Sequence, residues 1–371
     1  MRPADLALLH TPGAPTLSPD GTTAVVAVTR LDLAENEYRS ALWQVATDGA
    51  TPARQLTQGT KDSEPRYSPD GRWLAFLRAG EGKAQLHVLP TDGGESVRVT
   101  DHPLGAGAPV WSPDSTSIAY SARIPETGRY GTDEKLTPDK EAPRLITELA
   151  YRIDGLGFHN DRRPHLFVVE VVRDGVPFEK PELVQVTDGE WNDTAPAWSP
   201  DGASLAFVSA RHERRHVDLA GDLFVCARDG SGLRQLTDSA TDPARPVFSP
   251  DGRTILYTSP GDLGPDGLDF VANHEGLWSV PTDGSAAPTR LTEAEPDDLS
   301  DGMPMTPTAD GVLVGRLHRG SIELWLRSWD DGAPTAVLTG PRQVRGHAAA
   351  AGVVVATVAD AGSAGELVAI A

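Results

Sequence analysis

Ser18-Pro19-Asp20-Gly21 returns as Ser68-Pro69-Asp70-Gly71, Ser112-Pro113-Asp114-Ser115, Ser199-Pro200-Asp201-Gly202 and Ser249-Pro250-Asp251-Gly252, with a degraded copy at Thr308-Ala309-Asp310-Gly311. Each full copy precedes a short apolar run of strand character, such as Trp73-Leu74-Ala75-Phe76-Leu77 or Leu205-Ala206-Phe207-Val208. The turn chemistry explains the motif. Proline pre-sets φ at the first central position, aspartate suits the second, and glycine accepts the left-handed conformation that closes a bulged hairpin. Ser115 stands where that glycine is expected, which should cost about 1 kcal/mol. A second turn follows at Asp48-Gly49, Asp92-Gly93, Asp174-Gly175, Asp229-Gly230, Asp283-Gly284 and Asp331-Gly332. Asp-Gly between apolar runs is a strong hairpin signal. A closing mark, Leu or Val followed by Thr, ends each unit at Thr57, Thr100, Thr187, Thr237, Thr292 and Thr339.

One unit therefore reads strand, first turn, strand, variable loop, strand, Asp-Gly turn, strand. Those four antiparallel strands cannot bury both faces alone, so neighbours must stack. Six closing marks separate seven units, the seventh worn, with Ala351-Gly352 at its turn. The expectation is an all-β fold, a seven-bladed β-propeller of four-stranded antiparallel blades. A linear β-solenoid would have shorter rungs. The blades fall at about 13–57, 58–100, 101–187, 188–237, 238–292, 293–339 and 340–371. No break in composition divides them, so the 371 residues are expected to form one domain, although length alone would suggest two or three.

Net charge is −20, from 33 Lys and Arg against 53 Asp and Glu. That argues against a nucleic-acid partner and against a polybasic membrane patch. Much of the acidity belongs to the turns. The lone Cys226 excludes an internal disulfide and a cysteine-built zinc site. The start of the chain shows no secretory pattern, and the apolar runs are short, so a cytoplasmic protein is expected.

The third unit is too long, by an insertion over 123–165, and smaller insertions fall at the same place, over 31–40, 212–221 and 260–276. In an up-and-down blade the loop after the second strand always emerges on one side of the disc. The tight turns lie on the other. One face is thus decorated and one trimmed, and loops on a rigid scaffold are where function concentrates. The large insertion holds a possible short helix at Pro143–Arg152, and its candidate binding residues are Arg152, His159, Arg162 and Arg163.

No catalytic residue, metal site or cofactor motif emerges. His212-Glu213-Arg214-Arg215-His216 matches H-E-x-x-H by letter, but it lies in a loop of about ten residues, too short for an active-site helix. A solvated hairpin loop is the simpler reading. Ala361-Gly362-Ser363-Ala364-Gly365 only approaches a nucleophile elbow and lies in a terminal hairpin.

The repeat resembles the WD-like units of TolB-type proteins. It also resembles the N-terminal propeller of the prolyl oligopeptidase family of serine peptidases, in the acylaminoacyl-peptidase branch. Tyr151-Arg152-Ile153-Asp154-Gly155-Leu156-Gly157 leading into His165-Leu166-Phe167-Val168-Val169, and Ser209-Ala210-Arg211-His212 leading to Asp222-Leu223-Phe224-Val225, favour the peptidases. So does the opening from Ala4-Asp5-Leu6 to Gly21. In that family an α/β-hydrolase domain carrying Ser, Asp and His follows the propeller, and the propeller gates short peptides. The resemblance implies a non-catalytic gating domain whose partners are an α/β-hydrolase domain, in cis or in trans, and short peptides. The sequence given stops about where that domain would begin. The alternative is a stand-alone TolB-like scaffold for protein interactions.

Overall fold

The computed structural model describes residues 2–80, 82–133, 135–173, 176–177, 181–300, 302–329 and 332–370. The expected turn at Asp174-Gly175, and Asp331 of the last Asp-Gly pair, lie outside them. Each of the first five repeat units forms its own four-stranded antiparallel sheet, paired in chain order. In the first these strands are His10–Leu17, Thr23–Asp32, Glu37–Ala46 and Arg54–Gln55. Apart from two small two-stranded hairpins in the third unit, the remaining strands make one seven-stranded sheet. Within it a four-stranded antiparallel group, from Thr306–Pro307 to Thr335–Leu338, meets a three-stranded one, Gln343–Ala350, Val353–Ala359 and Glu366–Ile370. A single parallel pairing, Ile322 with Gln343, joins the two groups.

The first strands of successive units lie side by side, from His10–Leu17 through Asp62–Tyr67, Val110–Trp111, Asp193–Trp198, Ala244–Phe248 and Thr306–Pro307 to Gln343–Ala350, which returns to His10–Leu17. The sheets thus stand around a ring, and both faces of each are covered. Strand alternation divides the side chains between neighbours. Ile118 and Tyr120 of the third unit pack back against Trp73 and Leu77 of the second. Ala119 between them packs forward with Leu205 and Phe207 of the fourth. This is why the second strands read as unbroken apolar runs. Each such large side chain, fully buried, contributes about 1.5–3 kcal/mol.

The Ser-Pro-Asp turns repeat one hydrogen-bond pattern. The serine hydroxyl donates to the aspartate Oδ1 at 2.5–2.7 Å in all five full copies. The same hydroxyl accepts the N–H five residues on, as Trp73 N–H to Ser68 Oγ at 3.0 Å. The carboxylate accepts the N–H two residues on, as Arg72 N–H to Asp70 Oδ1 at 3.1 Å. Neighbouring turns also touch: a Cβ at Gly71 would meet Pro19 at 3.1 Å, and one at Gly202 would meet Pro113 at 3.6 Å. Ser115 does take the left-handed conformation, with φ of 61°. Its hydroxyl accepts the Asp70 N–H of the preceding turn at 3.0 Å, which offsets the strain. The closing Thr has an equally regular role. Thr57, Thr100, Thr187, Thr237 and Thr292 each accept, through Oγ1, the N–H of a third-strand leucine at 2.9–3.0 Å.

Two features of the first strands were also legible but are not part of the turn motif. A proline three residues before the motif serine recurs at Pro15, Pro65, Pro109, Pro196 and Pro246. At four of these the strand register shifts by a bulge. The tryptophan just before the serine ties blade to blade, with Trp111 Nε1–H to Arg66 O and Trp198 Nε1–H to Val110 O, both 3.0 Å.

The ring is sealed without a shared ladder. The first two strands pack on the last three-stranded group, where Leu17 and Ala24 bury Val355. Thr357 Oγ1–H donates to Gly13 O at 2.7 Å. The backbones run so close that a Cβ at Gly346 would lie 2.6 Å from Ala14. No helix among the described residues is long and apolar enough to cross a membrane. Cys226 is buried in its strand, and burial pushes its thiol up to about 11.

Candidate functional site

The loops after the second strands of the third, fourth and fifth units form the candidate site. Ser117–Pro125 and Arg162–Glu170 pair in unbroken register up to the point where the chain departs over 126–161. The helix expected at Pro143–Arg152 does not form; the segment is irregular up to a small hairpin, Arg152–Ile153 with Gly157–Phe158. Ile146 and Thr147 are β-branched and favour helix weakly. Arg144 is also drawn inward, away from any helical path, by two carboxylates.

Those carboxylates are Glu141 and Asp161, and both are shared. Asp161 pairs with Arg129 at 2.8 Å, Arg144 at 2.6 Å and Arg162 at 3.1 Å. Glu141 pairs with Arg144 at 2.5 Å and with Arg162, and it accepts the Tyr130 N–H at 2.7 Å. Burial pushes the Glu141 carboxyl up, but the Arg144 bond, the Tyr130 N–H and the Arg162 charge hold it below its ordinary value. Arg144 also lies 4.2 Å over the Phe158 ring. Asp161 is 4% exposed, so this network is shielded from water, unlike a surface ion pair.

The four residues singled out in the sequence have different fates. Arg162 is consumed by Glu141 and Asp161, and Arg163 by Glu148 at 3.0 Å. His159 is buried; that burial, then the Arg163 charge, holds its imidazole below the ordinary histidine value. Its Nε2 has no partner. Arg152 is exposed, 5.8 Å from the Phe158 ring. Arg129, Glu141, Arg144, Glu148 and Asp161, which complete the cluster, were missed. The excess of arginine in the insertion was the available signal, but nothing in the spacing pairs them. A cleft of about 240 Å³ opens beside the cluster, lined by Glu126, Arg129, Glu148, Asn160 and Arg163 among others.

The fourth-unit loop is not free in solvent as the sequence suggested. His212 Nε2 contacts Asp218 at 2.9 Å, while His216 Nδ1 turns to Glu148 of the large insertion at 3.4 Å. The two histidines of the H-E-x-x-H string therefore serve different partners. Among the described residues no group of three or more His, Cys, Asp or Glu side chains is arranged to hold a metal. Arg215 lies 4.6 Å over Trp191, and Arg214 reaches Asp266 of the fifth-unit loop at 3.7 Å. Leu219 N–H donates to Gly267 O at 3.0 Å. Beneath them Asp193, fully buried, joins Arg211 at 2.7 Å and His165 at 3.3 Å. Burial raises its carboxyl, and these two partners pull it below the ordinary range. The three loops form one belt.

The belt is apolar on its outer side. Leu145, Leu149 and Ile153 from the third unit are exposed. So are Val217 and Leu219 from the fourth and Leu268, Phe270 and Val271 from the fifth. A ring of four-stranded sheets with one trimmed face and one loop-built face defines the class: this is a β-propeller scaffold. No family model matches the chain. In sequence it is similar to an uncharacterized peptidase of Bacillus subtilis, YuxL, at 33% identity over 215 residues, which are 57% of this chain and 31% of that one. In structure it is similar to the acylaminoacyl peptidase of Pyrococcus horikoshii, with a TM-score of 0.71 and 17% identity over 98% of this chain and 51% of that one. The β-propeller domain of the Trilobed protease from Pyrococcus furiosus, described as having an open velcro topology, matches with a TM-score of 0.67 and 14% identity, over 97% of this chain and 95% of that one. The resemblance read from the repeat therefore stands: the chain is similar to the propeller of acylaminoacyl-type peptidases. It spans about a third of the length of the curated relative.

Proposed function

We propose that this chain is the non-catalytic propeller of an acylaminoacyl-peptidase or prolyl-oligopeptidase-like serine peptidase, with seven blades, the last of them three-stranded. It gates short peptides and docks an α/β-hydrolase domain on the loop belt. The observation that carries this reading is the belt itself. Three ion-paired loops leave Leu149, Leu219, Phe270 and Val271 exposed, large apolar side chains on an acidic protein. The closed succession of first strands supports the count of seven. Peptidases of this kind carry a propeller together with a hydrolase domain. A cytoplasmic setting, where the lone buried thiol stays reduced, fits the reading. The stand-alone scaffold is not favoured, since the relatives in sequence include an uncharacterized peptidase and a dipeptidyl-peptidase. Arg152 is the one member of the original four left available for a peptide carboxylate or carbonyl.

The test mixes the purified chain with the separately produced hydrolase domain of a similar peptidase. The chain alone should leave acyl- and aminoacyl-nitroanilides at background, and the mixture should form a one-to-one complex. Leu149→Glu with Phe270→Glu should weaken that complex at least tenfold, about 1.4 kcal/mol or more. Hydrolysis by the chain alone, or a complex indifferent to the double variant, would overturn the proposal.

A further inference from the structure

Four units place an aromatic residue just before the motif serine: Tyr67, Trp111, Trp198 and Phe248. Each ring packs into the seam with the preceding unit. The sixth unit has Pro307 at that position, and Pro307 is exposed. Met305 joins the core of the seam between the fifth and sixth units in its stead. The turn that follows is also shorter. Ser249 N–H bonds the carbonyl of Thr254, five residues on, whereas Thr308 N–H bonds Gly311 O, three residues on, at 2.7 Å. A cleft of about 530 Å³ opens in this seam, between the Ser249-Pro250-Asp251 turn and Ala309.

Leu256, Ser279, Leu291 and Arg327 line the cleft. Counted from the motif serine, the third-strand leucine and the closing Thr, they correspond to Ala119, Val168, Val186 and Cys226. Those four residues pack with Trp198 in the seam between the third and fourth units. Trp329, also in the cleft, corresponds to Arg228, which lies 5.5 Å over the Trp198 ring. The neighbours of Trp198 in that cluster are buried, whereas Ser279, Leu291, Arg327 and Trp329 are only half-buried. Trp111 and Trp198 donate their indole N–H to Arg66 O and Val110 O, each two residues before a motif serine. The equivalent carbonyl in the fifth unit is that of Val247, which packs on the same seam, and among the described residues no side chain donates to it. Arg327 crosses the seam to donate to Leu291 O at 2.9 Å and pairs with no acid among the described residues. Asp251 at the rim is already engaged, its Oδ1 accepting from the Ser249 hydroxyl at 2.7 Å and the Arg253 N–H at 3.0 Å.

We infer that the cleft between the fifth and sixth units binds a small molecule with a flat aromatic ring, a ring N–H donor and a carboxylate. The ring takes the place that Trp198 holds two seams earlier, between Leu256 and Leu291 of one unit and Trp329 of the next. Its N–H donates to Val247 O, and its carboxylate meets the Arg327 guanidinium. The volume falls within the range of about 300–1,000 Å³ usual for small-molecule pockets. The cleft lies on the side of the tight turns, away from the loop belt, and the inference does not rest on the peptidase reading.

The experiment titrates the 371-residue chain with indolepropionate and follows the tryptophan indole N–H signals by NMR. The Trp329 signal, identified by its loss in Trp329→Phe, should shift and saturate. Pro307→Trp supplies the ring from the chain itself and should weaken binding about tenfold or more. Arg327→Met should weaken indolepropionate about tenfold, as loss of a charged bond would, yet leave skatole, which has no carboxylate, within about twofold. The N-methyl derivative of indolepropionate, which lacks the ring donor, should bind several-fold more weakly than its parent. A Trp329 signal indifferent to millimolar ligand overturns the site. So does unchanged affinity in a Pro307→Trp chain that circular dichroism shows to be folded. Should that variant not fold, Arg327→Met decides: an equal loss for both ligands, or a loss for neither, overturns the proposal. Equal binding of the N-methyl derivative overturns the bond to Val247 O.

Discussion

The two faces of this disc are built by opposite means. The trimmed face is a repetition of one local device: a serine hydroxyl, an aspartate two residues on and a left-handed residue after it. Every bond in it spans at most five residues, apart from the touch between neighbouring turns. The decorated face is held by charge between residues far apart in sequence, such as Arg129 with Asp161 and His216 with Glu148. The first arrangement is redundant, so one weak copy is tolerated, as Ser115 shows. The second gathers three arginines on two shared carboxylates, Asp161 and Glu141, and no other unit repeats it. A scaffold face can be assembled from interchangeable links, whereas a working face is a single construction.

The largest expected effect tests that contrast at its strongest point. Asp161→Ala leaves Arg129 without its carboxylate and Arg144 and Arg162 with Glu141 alone, and breaking a buried pair costs about 3–5 kcal/mol. Urea unfolding should show that loss, and limited proteolysis should cut within 126–161. A cost below about 1 kcal/mol would mean that the network behaves as ordinary surface charge, and the contrast would dissolve.

On the trimmed face the steps are smaller. Ser68→Ala removes one donor and one acceptor bond from a buried hydroxyl and should cost about 1–3 kcal/mol in the same assay. Ser115→Gly removes left-handed strain worth about 1–2 kcal/mol but also the bond to Asp70 N–H, so its net effect should stay within about 1 kcal/mol of zero. A large loss there would show that the serine is a specific link rather than a compensated exception.

The smallest effect is in acid. The Ser18, Ser199 and Ser249 hydroxyls, followed by nearby N–H donors, hold Asp20, Asp201 and Asp251 below the ordinary carboxylate range. A lowered folded-state value means stability that is full above about pH 4 and is lost as pH falls through the folded value. Ser18→Ala should therefore move the acid unfolding midpoint, followed by circular dichroism, slightly upward. At neutral pH, by contrast, Asp20→Asn should cost more than it does in acid.

Much of the scaffold was legible because its rules are local. The Ser-Pro-Asp-Gly turns, the Asp-Gly hairpins and the alternating strands each state their conformation within a few residues. The proline before the bulge and the repeated third-strand leucine were also in view, yet their meaning depends on neighbours in adjacent blades. The site was less legible for the same physical reason. Arg162 and Arg163 stood out as cations, but their partners Glu141, Asp161 and Glu148 follow no period. Short-range spacing could not say that Arg144 would be pulled from a helix into an ion pair. Nor could it show that His212 and His216 would face different loops.

The seal between first and last units has a consequence for synthesis. Within a unit the strands that pair are near in sequence, so each sheet can form soon after it leaves the ribosome. The contact between Gly13 and Thr357 spans 344 residues. At about 5–20 residues per second the opening strand waits roughly 17–70 s for its neighbour to be made. During that interval Leu17 and Ala24, which only Val355 and its surroundings finally cover, face water on one flank. The beginning of the chain is thus the last part to be finished, and the part of the nascent protein with most to gain from a chaperone.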